Sequence, residues 1–190
     1  MLELLVVFTV FFLAAAISVP PILNMSRELR VRGVATEIVV FMQRARLHAI
    51  RHNVKVAVKF DTDHASIGYG LYRDGDADGV RNRDIDDGTD PQVFRTVHTD
   101  RHGRLVRFGF PPDLEPTDPG DPRSKLERLD DPIRFGSSDL ASFDPRGTSS
   151  PGTVYLTDGE SHLFAVRVDY RVGKMRILKY DAKQRIWLRD

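Results

Sequence analysis

Carboxylates are concentrated in one segment of the chain, the acidic loop of residues 74–90. The loop opens with Asp74-Gly-Asp-Ala-Asp78-Gly, so carboxylates alternate with small residues and a glycine stands at the sixth position. This spacing is typical of a calcium loop, in which hard oxygen ligands converge on the ion and the glycine permits a sharp turn. The ligands that the pattern predicts are Asp74, Asp76, Asp78, the carbonyl of Val80, Asn82, Asp84 and Asp86.

The twelfth position of this loop departs from the calcium pattern. Ile85 stands where a calcium loop has an acid, and Asp84 and Asp86 flank it. Between Asp61 and Asp90 there are nine acids and three arginines, and like charges at this density repel each other unless a cation or solvent screens them. Two interpretations therefore stay open, a calcium site and a solvated acidic turn.

Basic residues are concentrated at the other end of the chain, although the formal net charge is only +1. From His162 to Asp190 there are eight Lys or Arg and three Asp. Lys174, Arg176 and Lys179 could neutralise phosphates without reading a base sequence. The alternative, which we favour, is a solvated edge strand whose cations prevent sheet-to-sheet aggregation.

Motifs for catalysis are sparse. His48 and His52 are spaced four residues apart, as are His98 and His102, but neither pair has the His-Glu-x-x-His context of a zinc hydrolase. The chain has no cysteine, which excludes thiolate nucleophiles and cysteine-ligated metals, and it has no nucleophile elbow, phosphate loop or dinucleotide fingerprint. We therefore predict that the protein is not an enzyme and requires no cofactor, with calcium as the one candidate.

The N-terminal segment is apolar enough to enter a membrane. Residues 4–26 carry no charge, and as a helix they would span roughly 35 Å, against about 30 Å for a bilayer core. Residues 4–19 include eleven Leu, Ile, Val or Phe, which favour insertion by roughly 3 to 7 kcal/mol. A buried core helix would need a larger protein around it, and a signal peptide would need a basic start and a small-residue cleavage site. We therefore predict a transmembrane segment over residues 1–26.

The helical pattern continues beyond this segment. Apolar residues recur at steps of three and four, which predicts an amphipathic helix over residues 27–53 that continues the first segment, with a bend near Pro20 and Pro21. The predicted apolar stripe consists of Val31, Val34, Ile38, Phe41 or Met42, Ala45 and Ala49.

Over positions 54–190 several segments alternate apolar with polar residues, which predicts an antiparallel β domain without a second helix. The fold class is therefore α+β, a long N-terminal helix packed on an antiparallel sheet. Residues 111–132 are rich in proline and charge and predict a long surface loop. The predicted strands are 54–60, 66–72, 92–97, 105–110, 153–157, 163–170, 175–180 and 185–188.

The run Leu2 to Val7, followed by an apolar segment that ends in Ala-Ile-Ser-Val-Pro20, resembles the methylation-motif N-terminus of type IV pilins and pseudopilins. In that family a prepilin peptidase removes a basic leader, and a glutamate near the new N-terminus pairs with the terminal amine of the adjacent subunit. The resemblance implies that role for Glu3 and subunit packing for Leu2, Leu4 and Pro20. Because Met1 lies inside the motif, we expect the leader to be encoded upstream.

The resemblance also implies a topology. Arg27, Arg30 and Arg32 follow the apolar segment, and the positive-inside rule alone would place the domain in the cytoplasm. A basic leader would reverse this balance, so the expected location is the inner membrane, as a single-pass protein with a periplasmic domain and later as part of a filament.

A second motif narrows the family. Residues 143–157, FDPRGTSSPGTVYLT, resemble the signature of the GspH/FimT branch, the minor pseudopilins of type II secretion and their type IV pilus counterparts. The implied function is a structural subunit whose partners are other pilin subunits. Residues 172–176, VGKMR, resemble the Gly-Arg-x-Arg turn of DNA-binding members, so a DNA-capturing minor pilin is one alternative. A membrane-tethered periplasmic binding or enzymatic domain is another.

Overall fold

A single long helix begins the chain. The structure, a computed structural model, describes residues 2–62, 67–98, 106–169 and 173–189, without the side chains of residues 2, 5 and 14–22. Helix α1 spans Leu2–His52. It ends where Asn53 adopts a left-handed conformation (φ 51°), which asparagine tolerates better than most residues, and the N–H of Val54 bonds back to the carbonyl of Ala49 at 3.2 Å.

Among the described side chains of α1, those that pack on the rest of the molecule lie in the C-terminal half of the helix. The predicted stripe is confirmed, because each of its members is at least nine-tenths buried. Ala35 is buried as well, and the helix contacts strands of two β-sheets. Burial of this apolar face, at about 25 cal/mol for each Å² removed from water, is what holds the helix to the domain.

The described residues form ten strands in two antiparallel sheets. The strands are β1 Val56–Asp61, β2 Gly68–Arg73, β3 Gln92–His98, β4 Arg107–Phe108, β5 Ile133–Arg134, β6 Leu140–Phe143, β7 Gly152–Thr157, β8 Leu163–Val168, β9 Met175–Asp181 and β10 Ile186–Arg189. The first sheet has the order β3-β2-β1-β6, and the second has the order β10-β9-β8-β7-β4, with β5 also pairing with β7. The α+β fold class is thereby confirmed.

Three elements differ from the sequence prediction. The expectation of no second helix is wrong, because a six-residue helix α2 spans Asn82–Asp87 inside the acidic loop. Strands β5 and β6 were not predicted either, although β6 pairs directly with β1 and completes the first sheet. The predicted strand residues Ser66, Leu105 and Tyr170 lie outside the described residues.

The proline-rich segment of residues 111–132 lies over the second sheet. Its Leu126 is 7% exposed and joins a small apolar cluster with Tyr155, Leu163 and Tyr180. The indole N–H of Trp187 donates to the carbonyl of Thr117 at 2.7 Å, which fastens the segment to β10. This second cluster lies apart from the main core, which is formed between α1 and the two sheets.

Candidate functional site

The described side chains between positions 4 and 13 of α1 expose an apolar surface. Glu3 is exposed, whereas Leu2 and Pro20 belong to the side chains that are not described. Within the described part of the chain, no helix is both long and apolar enough to cross a membrane. Each large apolar residue described between positions 4 and 13 is more than half exposed, and these residues are Leu4, Val6, Val7, Phe8, Val10, Phe11, Phe12 and Leu13.

The turn between β6 and β7 is tied together by one carboxylate. Asp144 accepts bonds from the N–H of Arg146 at 2.7 Å and from the hydroxyl of Thr148 at 2.7 Å. Gly147 adopts a left-handed conformation (φ 80°), and the Nε–H of Arg46 on α1 donates to its carbonyl at 2.8 Å. The turn that carries the family signature therefore contacts the helix directly, and sequence reasoning missed Arg46.

A chain of charged groups joins the middle of α1 to the second sheet. His162, 8% exposed, places Nδ1 2.7 Å from Asp158 and Nε2 3.8 Å from Glu28 of the helix. Glu28 also pairs with Lys179 of β9, and Arg27 pairs with Glu160. We call Glu28, Asp158, His162 and Lys179 the helix clamp.

Asp158 accepts the hydrogen bonds that hold this part of the helix clamp together. Burial raises the pKa of its carboxyl, but the hydrogen bond from His162 and those from the backbone N–H groups of His162 and Ser161 outweigh it, so the pKa lies below its ordinary value. Oδ1 accepts the N–H groups of Glu160, Ser161 and His162, each at 3.0 Å. No sequence pattern indicated the clamp, because its members lie on three elements far apart in the chain.

The acidic loop is shaped by two buried aspartates that bond its backbone. Asp74 accepts the N–H groups of Ala77 at 2.8 Å and Gly79 at 3.0 Å. Asp90, 1% exposed, accepts the N–H groups of Gly75 and Arg81, each at 2.9 Å. Gly79 has the positive φ (100°) that the sharp turn requires. Among the predicted ligands Asp74 is thus also a structural residue, and the role of Asp90 was missed.

Three predicted ligands come together in this loop. Asp74, Asp76 and Asp78 each place a carboxylate oxygen within 4.8 Å of the other two. Desolvation raises the pKa of Asp78, and the carboxylates of Asp76 and Asp84 add to the rise, whereas the backbone N–H of Asp78 lowers the pKa of Asp76. Asp78 also pairs with Arg81.

The remaining predicted ligands diverge. The amide NH₂ of Asn82 donates to the carbonyl of Ser138 at 2.8 Å, and the exposed Asp86 lies 3.3 Å from Lys59. Asp84 points inward, with a side chain that is only 3% exposed. Val80 follows the glycine turn and is half-buried.

The basic residues predicted to contact nucleic acid are largely compensated. Arg176 pairs with Asp169, and Lys179 pairs with Glu28, while Lys174 is exposed. Residues 170–172 of the hairpin lie outside the described residues. Two of the three cations are already neutralised, which disfavours a phosphate-binding patch. The predicted edge strand is wrong for Lys179, because β9 lies between β8 and β10 and Lys179 pairs with Leu188.

The histidine pair on α1 does not have the surroundings of a metal site. The rings of His48 and His52 lie 4.2 Å apart, centre to centre, beside Arg73. Burial, His52, Arg51 and Arg73 together lower the pKa of His48. The positive charges of Arg51 and Arg73 would also oppose a bound cation. His98 is exposed on β3, and His102 lies outside the described residues.

A helix that is buried along one half and exposes apolar residues along the other, in front of an antiparallel domain, defines a pilin-like protein. A family model described as type II transport protein GspH matches residues 34–170, more than two thirds of the chain. The chain therefore belongs to the GspH family, a family of structural pseudopilins of type II secretion. A search of curated proteins found no match, and neither did a search of solved structures.

Proposed function

We propose that this chain is a minor subunit of a type II secretion pseudopilus, anchored in the inner membrane before assembly. The anchor is the apolar half of α1, and the globular domain is periplasmic. The observation that carries the proposal is the exposed apolar surface of residues 4–13, which no part of the described domain covers. Water disfavours such a surface, whereas lipid and neighbouring apolar helices both accommodate it.

Glu3 is the assembly residue of this proposal. A carboxylate drawn to the centre of a bilayer costs about 2.5 to 3.5 kcal/mol, so it needs a partner or an interfacial position. An amine of the neighbouring subunit would supply that partner and fix the axial register of the helices. Prepilin peptidase would generate this amine by removing the leader.

Cross-linking can test the proposal because the chain has no cysteine of its own. A single cysteine at Phe8 should cross-link to other pseudopilins in cells with a complete secretion system, and Glu3→Ala should reduce the yield strongly. A cysteine at Gly88, at the exposed end of the acidic loop, serves as a control for random collision. Cross-linking at Phe8 that is unaffected by Glu3→Ala and by loss of prepilin peptidase would instead support a tethered domain with no filament role.

A further inference from the structure

The end of α1, the end of β2 and the start of β3 enclose a pocket of about 460 Å³. Its polar lining includes His48 and His52 of the helix, Arg73 of β2 and Gln92 of β3. Arg51 lies close enough to lower the pKa of His48. No carboxylate of the described residues lines this space. We call the pocket, with His48, Arg51, His52 and Arg73, the basic pocket.

The two arginines of the basic pocket are not compensated within the part of the chain that the structure describes. Neither Arg51 nor Arg73 forms an ion pair with a described carboxylate, whereas Arg81, Arg128 and Arg176 elsewhere on the domain each do. Like charges that lie together repel each other, and an anion bound between them would relieve that repulsion.

The acidic residues that flank the pocket along the chain are engaged elsewhere. Asp74 and Asp90 are both buried, and their carboxylates accept backbone N–H groups of the acidic loop. Burial and then three basic neighbours lower the pKa of His48, and no described carboxylate opposes that shift. The electrostatic potential at the pocket is therefore positive.

The dipole of α1 explains part of this arrangement. Arg51 and His52 occupy the last turn of the helix, where the carbonyl end favours cations. That end is equivalent to roughly half a negative charge, which is less than the full charges of the two arginines. Arg73 ends β2, so its place beside the helix is not explained by the dipole.

Beside the pocket, β3 forms an open edge of the first sheet. It pairs with β2 on one side, and its other side pairs with no strand of the described ranges. Phe94 and Val97 are each 42% exposed, and the ring of Phe94 lies 5.7 Å from that of His48, centre to centre. The strand contains neither lysine nor proline, which commonly protect such edges. Its pairing with β2 shifts register twice, so an added segment would follow only a few of its residues.

We propose that the basic pocket binds a carboxylate of an extended acidic segment from a partner protein, and that this segment lies along β3. The guanidinium of Arg73 matches a carboxylate in geometry as well as in charge. An extended peptide beside an open edge strand places alternate side chains on each face, where Phe94 and Val97 offer apolar contacts. Nucleic acid is a poorer fit, because its backbone follows a line of cations and this pocket is one concave cluster.

The inference goes beyond the proposed function, since the site lies on the domain and its test requires neither membrane insertion nor filament assembly. The probe is a fluorescent peptide of alternating glutamate and valine, measured by anisotropy on the full-length chain in nonionic detergent. We expect binding that weakens as the ionic strength rises, and binding at least about tenfold weaker when glutamine replaces glutamate.

Three outcomes of this measurement would overturn the proposal. The acidic peptide must bind at low ionic strength, so an unchanged anisotropy would exclude the site. Equal binding of the glutamate and glutamine peptides would exclude a carboxylate as the recognised group. Tighter binding of an oligothymidylate than of the acidic peptide would exclude a protein segment as the occupant.

Matched variants test where the peptide binds. Arg73→Gln should weaken binding about tenfold. Arg30→Gln removes the same charge from an exposed position of α1, roughly 33 Å along the helix from His52, and should change binding less than about twofold. Both arginines are exposed, so both variants should fold. Equal effects of the two variants would reduce the binding to general charge attraction and overturn the site.

A further variant tests the path of the segment along β3. Phe94→Ser should weaken binding at least about threefold, because it removes an exposed aromatic contact from the edge strand. Thermal melting checks that this variant is folded. Wild-type affinity in a folded Phe94→Ser protein would overturn the placement of the segment along β3.

Discussion

Gly152, at the start of β7, shows at the residue scale why the signature turn needs a glycine. A Cβ built on it would lie 2.1 Å from a ring carbon of Phe135 and 2.5 Å from the carbonyl oxygen of Arg134. Phe135 is 3% exposed in the main core and cannot move without disturbing it. The glycine is therefore required by the close approach of β5 to β7 and not by its own backbone conformation.

We predict that Gly152→Ala destabilises the protein by about 2 to 3 kcal/mol, through overpacking of the core. Gly136→Ala is the matched control, because Gly136 has a positive φ (69°) but nothing within 4 Å of a Cβ. Its expected cost is only the backbone term, about 1 kcal/mol. Denaturant unfolding of the two variants in detergent measures the difference, and a smaller loss for Gly152→Ala than for Gly136→Ala would contradict the packing argument.

Arg46 provides a second residue-scale prediction. Arg46→Ala removes the bond to the carbonyl of Gly147, and we expect a loss of about 1 to 2 kcal/mol because that half-buried acceptor is left without its donor. Arg44→Ala removes the same charge from an exposed position of the same helix and should cost less than about 0.5 kcal/mol. Equal denaturation midpoints for the two variants would show that the contact contributes nothing.

Gly147, Gly152 and Arg46 show which features of single residues can be predicted from the sequence alone. The Arg-Gly turn and the Gly-Thr-Val strand were visible as a pattern, since turn residues have local conformational causes. Their partners were not visible, because Arg46 lies 101 positions from Gly147 and the contact depends on how the helix crosses the sheets. In the acidic loop the aspartate spacing predicted the cluster of three, but only burial distinguished Asp84 from Asp86.

At the scale of elements, periodicity predicted the structure well where segments are long. The stripe of α1 repeats over five turns, and the alternating residues of β7, β8 and β9 belong to strands of six or seven residues. Helix α2 and strands β5 and β6 have six, two and four residues. Segments this short carry too few repeats to display a period, and tertiary pairing decides their conformation.

The helix clamp is a contact between elements, and we expect its contribution to stability to depend on pH. Asp158 has a pKa below its ordinary value, so its carboxylate contributes stability above the unfolded-state pKa, and this contribution is lost as the pH falls through the folded-state pKa. The groups around it are the imidazole of His162, then Glu28 and Lys179 beyond the ring, and Arg107 near Gly159.

We therefore predict that Asp158→Asn is less stable than the wild type at neutral pH by about 1 to 3 kcal/mol. Asparagine keeps the oxygen that accepts three backbone N–H groups, but it loses the charge and replaces Oδ2, the partner of His162 Nδ1, with an NH₂ group. The difference between the two proteins should begin to narrow near about pH 4, the unfolded-state pKa of an aspartate, and should continue to narrow as the pH falls through the lower folded-state pKa. Thermal melts from pH 7 to pH 3 measure this, and a difference that is constant over the whole range would exclude the carboxylate as its source.

At the scale of the whole molecule, the proposed function gives α1 two tasks along one continuous helix. Its C-terminal half is part of the core, and the apolar residues described in its N-terminal half contribute no buried surface to the domain. Stability and assembly should therefore be separable by position along a single element. A charged residue placed on the buried face of the C-terminal half should damage folding. The same residue placed in the N-terminal half should damage only anchoring and assembly.

We predict that Phe12→Arg leaves the Tm of the purified full-length chain within about one degree of the wild type, because Phe12 is 67% exposed and packs on no part of the domain. In cells it should weaken membrane association and reduce cross-linking at Phe8, since an arginine within a membrane segment costs about 2.5 to 3.5 kcal/mol. Ile38→Arg buries the same charge at a position that is 1% exposed, and it should cost more than about 4 kcal/mol and prevent folding.

Membrane fractionation of both variants measures anchoring, and limited proteolysis measures folding, so the two assays separate a loss of anchoring from a loss of folding. A Phe12→Arg protein that melts early would mean that the N-terminal half of α1 stabilises the domain, and one that remains anchored and cross-linked would mean that this apolar surface serves neither the membrane nor the filament.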